Sequence, residues 1–586
     1  MKTSEIERKM DEMAVNIPRP EHPKPQFARA DWLNLNGEWA FEIDNGCSGR
    51  ARGLSAADAQ LSGKITVPFC PQSTLSGVAH TDFLRGVWYR RTVTLTAAQC
   101  AGRVMLHFGA VDYRCEAFVN GQSVGTHTGG YVSFAFDVTE AVHAGENVIT
   151  VCAEDDERDP MIPRGKQSEE YHSHGCDYTR TTGIWQTVWL EFVPQTHIAS
   201  VQLEPDAANA QFDIWAELCG AGELTVTARY EGRAVGRASV QSGGGRTHLA
   251  LPLSEVHLWE PGHGRLYDLE LTYGDDRVTS YGGLRSIRLD GYRFCINGKS
   301  VFQRLVLDQG FYPDGIYTAP SDDELRRDVE RSMACGFNGA RLHEKVFEER
   351  FLYHCDRLGY LVWGEYPNWG LDHTRPEAVY SILPEWLAEI ARDRNHPSII
   401  GWCPFNETWD MHGCRQFDPL LSLVYRVTKA ADPSRPCIDT SGNYHVETDI
   451  YDVHDYTAEA EVLHAHYDAL PTENRLEEWG TMASRQRYDG KKPVFVSECG
   501  GIGWISDAND QAWGYGNNPT TQEEFVARFR TMADIMMQNP RIIGLCYTQL
   551  TNVEQEQNGL YTYEREPKFD PAIFRAILSQ KAAIED

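Results

Sequence analysis

Two periodicities divide this chain. From about residue 28 to residue 287, apolar and polar positions alternate in short runs such as RVMLHFGAVD, RCEAFVNGQSVG and NVITVCAED. Asn-Gly or Gly turns break them about every 8–12 residues, the pattern of hairpin-linked strands. No long helical period interrupts residues 28–195, which predicts an all-β sandwich. The alternation continues through VQLEPD, QFDIWAEL, LTVTARYEG and YDLELTYGDD, so residues 196–287 are read as a second, immunoglobulin-sized sandwich. Residues 1–27 are polar and proline-rich and read as an arm or linker.

The pattern changes near Arg288. Helical segments such as DDELRRDVERSMACG now alternate with short, nearly continuous apolar runs, each closed by polar residues. Eight such runs stand out: SVFQRLVLD, GARLHE, YLVWGEYP, IIGWCPFNE, CIDTSG, IYDVHDY, VFVSECG and IIGLCYTQL. Apolar strands alternating with helices imply a parallel sheet covered on both faces. Eight units over roughly 300 residues fit a (β/α)8 TIM barrel spanning 288–586, whose strand C-termini face the active site. The expected architecture is thus multidomain: residues 1–195, residues 196–287, then the barrel.

Composition narrows the function. Lys plus Arg total 55 against 84 Asp plus Glu, a formal charge of −29. A surface this acidic repels phosphate backbones and anionic lipid, which argues against nucleic-acid and membrane partners. No run of about 18 apolar residues suggests a membrane span. The charged N-terminal segment MKTSEIERKMDEMAV does not resemble a secretory signal. Fifteen scattered cysteines without a Cys-x-x-Cys pair read as reduced thiols, so a cytoplasmic location is expected. Metal binding is not expected: His172-x-His174 and His464-x-His466 show no acidic partner at ligand spacing.

The chemistry gathers at the strand ends. Strand four ends in Asn406-Glu407 and strand seven in Glu498. Two carboxylates on strands three apart can face each other across a small ligand, as retaining glycosidases require. A single glutamate at a barrel mouth is as often an ion-pair partner as a catalyst; two together, with an asparagine before one, favour catalysis.

With these motifs in view, the chain resembles glycoside hydrolase family 2. WLNLNGEWAF, VWYRRTV, LHFGAVDY, VNGQSVGTHTGGYVSFAFDVT and TTGIWQTVWLE resemble that family's sugar-binding-like, jelly-roll-like sandwich. WCPFNE and VSECGG resemble its acid/base and nucleophile motifs, and YTQLTNVEQEQNGLYTY its segment at and after strand eight. The resemblance implies a carbohydrate substrate, no cofactor and, as an expectation, a homo-oligomer. It implies Glu407 as acid/base, with a pKa expected to be raised, and Glu498 as an ionised nucleophile held by Arg341. Asn406 is expected at the sugar 2-hydroxyl and Tyr456 on the nucleophile. Asp308, His343, His454, Trp363, Tyr366, Trp369, Trp504 and Tyr547 are candidates to line the sugar subsite, Asp308 and His454 foremost.

The chain also departs from that family. Asp308-Gln309 stands where many members carry His-Glu, and Arg341-Leu342-His343-Glu344-Lys345 where many carry a Ser-His-Tyr-Pro-like run. The Asn-x-Lys motif with which β-glucuronidases hold the uronate is here Glu556-Gln557-Asn558. Glu556 is expected to repel a carboxylate unless another loop, such as the one bearing Lys345, supplies a cation. The aromatic stretch from Tyr366 to Tyr380 is read as a covering loop that favours exo action. The resulting expectation is a retaining exo-β-glycosidase, β-galactoside first. Its alternatives are β-galacturonide or β-glucuronide, β-mannoside, and arabinofuranoside or galactofuranoside. An inactive carbohydrate-binding protein would be free to lose one glutamate, and a serine hydrolase would want a Gly-x-Ser-x-Gly elbow; neither fits.

Overall fold

The computed structural model describes residues 17–480, 482–505 and 511–586. The start of the arm, residues 1–16, lies outside them. In the first sandwich a six-stranded antiparallel sheet, which includes Gly37–Ile43, Gly86–Leu95 and Gly145–Glu154, faces a four-stranded one that includes Arg103–Phe108 and Val188–Val193. Their alternating inward residues, among them Trp39, Tyr89, Leu106 and Leu190, form one buried core. The second sandwich sets three strands, His197–Asp206, Gln211–Cys219 and Gly245–Pro252, against four, with Ile214, Val226, Leu251 and Leu271 between them.

The third unit is a parallel barrel. Seven strands form its ladder: Gln303–Asp308, Gly339–Leu342, Leu361–Glu365, Ile399–Cys403, Tyr451–Asp455, Val494–Gly500 and Ile542–Thr548. We call these strands one to four and six to eight. The segment read as strand five, 437–442, makes only isolated bridges, Trp402 to Cys437 and Asn406 to Ser441. Its backbone keeps bonds to strand four, such as Ile438 N–H to the Trp402 carbonyl, and side chains serve other groups: Asp449 accepts from the Cys437 N–H, and Asp439 from the N–H groups of Val446 and Glu447. Trp363 packs inside the barrel, and Gly401 has no alternative beside it, because a Cβ would lie 2.4 Å from the Trp363 ring. Helices such as Asp322–Ala334 and Gln522–Met537 cover the outside, capped by Ser321 and Thr521, whose side chains accept from backbone N–H groups. Among the described residues, no helix is long and apolar enough to cross a membrane.

The described part of the arm is docked rather than free. Arg19 forms a bidentate ion pair with Glu348 of the barrel, at 2.8 and 2.7 Å. Arg29 bridges Glu191 of the first sandwich and Asp276 of the second. Glu385, on a barrel helix, accepts at 2.7 Å from the backbone N–H of Tyr131. The arm's ion pairs and the Glu385 hydrogen bond tie the first sandwich to its neighbours, so that one of its loops lies at the barrel mouth.

Candidate active site

The C-terminal ends of strands two, three, four, six and seven converge on one polar cluster. Arg341 donates from Nη1 to Glu498 Oε1 at 3.0 Å and to the Ser497 carbonyl at 2.8 Å. Its Nε lies 2.5 Å from Glu365 Oε1, and its Nη2 donates to Asn406 Oδ1 at 3.2 Å. One guanidinium thus meets four oxygens, three of them on side chains, which its rigid fork suits. Tyr456 donates its hydroxyl proton to the other oxygen of Glu498, Oε2. Its ring stacks on Tyr515 with centroids 3.6 Å apart.

Glu407 closes the cluster from strand four. Its backbone lies in the left-handed region at φ 48°, a conformation that costs a non-glycine residue about 1–3 kcal/mol. Its N–H bonds the Ser441 carbonyl at 2.9 Å, and its own carbonyl accepts from Trp409 at 2.8 Å, which holds the turn. The side chain then faces strand seven: carboxylate oxygens of Glu407 and Glu498 and a ring nitrogen of His454 lie within 4.8 Å of one another.

His454 sets the charge here. Its Nδ1 is 2.8 Å from Glu407 Oε1, and its Nε2 is 2.9 Å from Ser441 Oγ. Ser441 gives its one hydroxyl proton to Asp452 at 2.7 Å, so its oxygen accepts from the imidazole. Both ring nitrogens therefore donate. Burial lowers the His454 pKa, but Glu498 and Glu407 outweigh it and the net shift is upward. Burial pushes Glu407 up, yet the His454 hydrogen bond and charge, with Lys166 behind them, bring it down to about 2. The raised pKa expected for Glu407 from sequence is therefore corrected: the resting proton sits on its histidine neighbour.

The other sequence candidates divide. His343 joins the cluster, with Nδ1 3.0 Å from Glu365 Oε2. Trp369 reaches its edge, donating from Nε1 to the Asn406 carbonyl at 3.2 Å, beside Asn368. Asp308 does not join. Its Oδ1 accepts from the Gly310 N–H, and its field comes from Asp328, Arg565 and Lys345, on the outer side of the strand. Trp363 packs inside the barrel on Phe495 and bonds Gln303. Tyr366 turns to Glu385 on the covering helix, Tyr547 to the Asn558 carbonyl, and Trp504 to Phe525 and Phe569. These five do not join the cluster: on the strands successive residues alternate between lumen and helical layer, Trp363 lies inside the barrel but packs on Phe495, and Tyr366 and Trp504 lie beyond the strand ends.

Lys345, suggested as a cation for the pocket, is also turned away. Its Nζ donates to the carbonyls of Gly310 and Tyr317, and burial lowers its pKa to about 7. The loop from Tyr366 to Tyr380 covers less than expected. Asn368 and Trp369 reach the mouth, while Asp372 and Ser381 bond Pro160 and Met161 of the first sandwich and Tyr380 is exposed.

Four groups were missed. Glu365 closes strand three, and its place as the polar residue ending the run YLVWGEYP was the signal that could have found it. Tyr178 and Gln309 bond each other, and Tyr178 also bonds Glu556. Gln549 links Gln309 to Asn558. Lys166 comes from the first sandwich, and nothing local marks it. The expectation for His174 is also corrected: Glu169 and Asp177 do lie with it at ligand spacing. Arg164 pairs with both acids, at 2.8 and 2.6 Å, so an internal cation already serves the cluster. His464 and His466 instead pair separately, with Asp468 and Asp455.

A barrel behind two sandwiches, with two carboxylates this close across its mouth and one clamped by an arginine and a tyrosine, defines a glycosidase-type hydrolase. Residues 74–194 match the sugar-binding domain of glycosyl hydrolases family 2, and residues 287–578 match its TIM barrel domain. The chain belongs to glycosyl hydrolases family 2. A β-glucuronidase of Paenibacillus borealis is 24% identical over 94% of this chain and 98% of its own length. A β-galactosidase of Thermoanaerobacter pseudethanolicus is 28% identical over 56% of this chain but only 45% of its own length. The chain likewise spans 44% of a putative β-glucuronidase of Formosa agariphila. Among solved structures, a Lactobacillus rhamnosus β-glucuronidase superposes with TM-score 0.78 at 20% identity, covering 97% of this chain and 100% of that one. A Ruminococcus gnavus β-glucuronidase in complex with D-glucuronic acid gives 0.77 at 18%, covering 94% and 99%. At these identities the structures speak to the fold.

Proposed function

We propose that the protein is a retaining exo-β-glycosidase that hydrolyses the terminal sugar of oligosaccharides or glycoconjugates by double displacement. The observation that carries this reading is the short span between the Glu407 and Glu498 carboxylates, within 4.8 Å at their nearest oxygens. Inverting enzymes leave room for a water, at about 6.5–9.5 Å, whereas retaining enzymes hold the pair at about 5–5.5 Å.

Glu498, aimed by Arg341 and Tyr456, attacks the anomeric carbon as the glycosidic bond breaks. The proton shared by His454 and Glu407 goes through the Glu407 carboxyl to the departing oxygen. Water then attacks the glycosyl–enzyme ester while Glu407 takes its proton, which restores Glu498 and gives a product with retained configuration. Asn406, held by Arg341, is the donor for the sugar 2-hydroxyl. The Tyr178, Gln309, Gln549 and Asn558 network walls one end of the cluster, which supports exo action.

Two readings of the sugar have support. The family contains relatives named β-galactosidase, and Glu556 in the wall favours a neutral sugar. Most of the relatives and structural neighbours set out above are named β-glucuronidase, which favours a uronide at least as well. Hydrolysis of p-nitrophenyl galactoside, glucuronide, galacturonide, mannoside, glucoside and α-L-arabinofuranoside by wild type and Glu498→Gln tests the mechanism. Wild-type rates in the variant would remove Glu498 as nucleophile.

A further inference from the structure

Lys166 is a buried cation with no directly bonded counter-ion among the described residues, although the acids around it act through space to hold its pKa up against burial. Its side chain is 5% exposed, yet its Nζ takes part in no hydrogen bond or ion pair among the described residues. It stands 3.5 Å over the ring of Trp369, the tryptophan whose indole bonds the Asn406 carbonyl. The charges that act on it are Cys176, Glu556, Glu407 and Glu344, three of them carboxyl groups around the barrel mouth. Burying a lysine unpaired is costly, and a fold keeps such a group when a ligand completes the pair.

The backbone is built to deliver it. The N–H groups of Arg164 and Gly165 both donate to the Trp369 carbonyl, at 2.8 and 3.1 Å, and the Lys166 carbonyl accepts from Tyr178 at 2.7 Å. Gly165 lies at φ 57°, and a Cβ there would stand 2.4 Å from the Glu344 carbonyl. Only glycine lets the sandwich loop come this close to the barrel, and the next residue is the lysine.

We infer that Lys166 is the counter-charge for a carboxylate on the terminal sugar, so that the substrates are β-linked uronides and the first sandwich supplies the specificity residue. The inference rests on the glycosidase reading and deepens it. Glu556 does not oppose it as its sequence position suggested. Its oxygens are engaged by Tyr178 and Asn558, and burial pushes its carboxyl upward towards the neutral form. Glu344 is likewise pushed well up by burial, whereas Glu407 is held down by His454 and is already engaged by that imidazole.

The test compares wild type with Lys166→Met, which keeps the apolar stem over Trp369. The measurements are kcat/KM on p-nitrophenyl β-glucuronide, β-galacturonide and β-galactoside, with calorimetric titration of free glucuronate, galacturonate and galactose. Wild type is expected to prefer a uronide. The variant should lose roughly 100-fold on it, mainly through KM, with a loss on galactoside at least tenfold smaller. Binding of the free uronic acid should fall in parallel.

Equal losses on both sugar classes at an unchanged unfolding temperature would overturn the assignment, as would a wild type that cleaves galactoside and ignores uronides. Should the variant fold poorly, titration of wild type decides: binding of galactose but of neither uronic acid overturns it. Uronic-acid binding that depends on Lys166 in a protein that cleaves nothing would sink the glycosidase reading while upholding the anion site.

Discussion

Nδ1 of His454 lies 2.8 Å from Oε1 of Glu407, and in the proposed mechanism this contact holds the proton for acid catalysis. The pair holds it mainly on the imidazole, raised by Glu498 and Glu407 against the effect of burial. Loss of that proton sets the alkaline limb of the kcat/KM profile, above the ordinary histidine value. In His454→Asn the proton must sit on Glu407 itself; without the imidazole burial raises this carboxyl from its resting value, but as a carboxyl it still titrates below the raised imidazole. The alkaline limb is therefore expected to move to lower pH, with activity at pH 7 down by about 10²–10³-fold. A limb that stays in place would show that the histidine does not share the proton.

Glu498→Gln keeps the Arg341 contact but removes the charge that attacks in the proposed mechanism. The expected loss in kcat is about 10⁴-fold or more on every substrate cleaved. Glu407→Gln should differ by leaving group, losing far more on alkyl than on p-nitrophenyl glycosides, because a nitrophenolate departs without a proton. Stopped-flow and steady-state rates on the two leaving-group classes check both.

Tyr456 donates to Glu498 Oε2, the oxygen not held by Arg341. Tyr456→Phe removes that bond and leaves the ring stacked on Tyr515. The carboxylate then loses aim rather than charge, so kcat should fall about 10–100-fold with KM little changed. A change confined to KM would assign Tyr456 to sugar binding instead.

His445 predicts the pH dependence of stability. It lies 2.7 Å from Asp439 and 3.1 Å from Asp452, and these acids outweigh burial to raise its pKa to about 10. A group raised on folding contributes stability that is complete below its unfolded value, near 6.5, and is lost as pH climbs through about 10. The melting temperature should decline over that window. His445→Leu, which strands two buried aspartates, should cost about 3–5 kcal/mol at pH 6 and lose this part of the decline. Calorimetry from pH 6 to 10 measures it.

Much of this protein is legible along the chain. The change of period near Arg288 marked sandwiches before a barrel, because hydrophobic spacing reports directly which faces are buried. Glu407 and Glu498 were found because polar residues that end apolar barrel strands are few and conspicuous. His343 and His454 were candidates on the same grounds, Arg341, Asn406 and Tyr456 through the family resemblance, and the structure brings them into the cluster.

The strand ends named the residues but not their directions. Asp308, Trp363, Tyr366, Trp504 and Tyr547 were candidates on the same grounds, yet each turns into the helical layer, the barrel interior or a loop core. Strand five could be read as apolar sequence, but isolated bridges and aspartate side chains hold it, which no periodicity records. The charge state of Glu407 depends on an imidazole 47 residues away in sequence. Lys166 lies farther still, in another domain, in a stretch with no apolar period to mark it. What the sequence determined were local matters, propensity, period and the residue types at strand ends. The tertiary structure decided which of these side chains share a low-dielectric space, because pairing and proton position depend on distances across the fold and not on spacing along the chain.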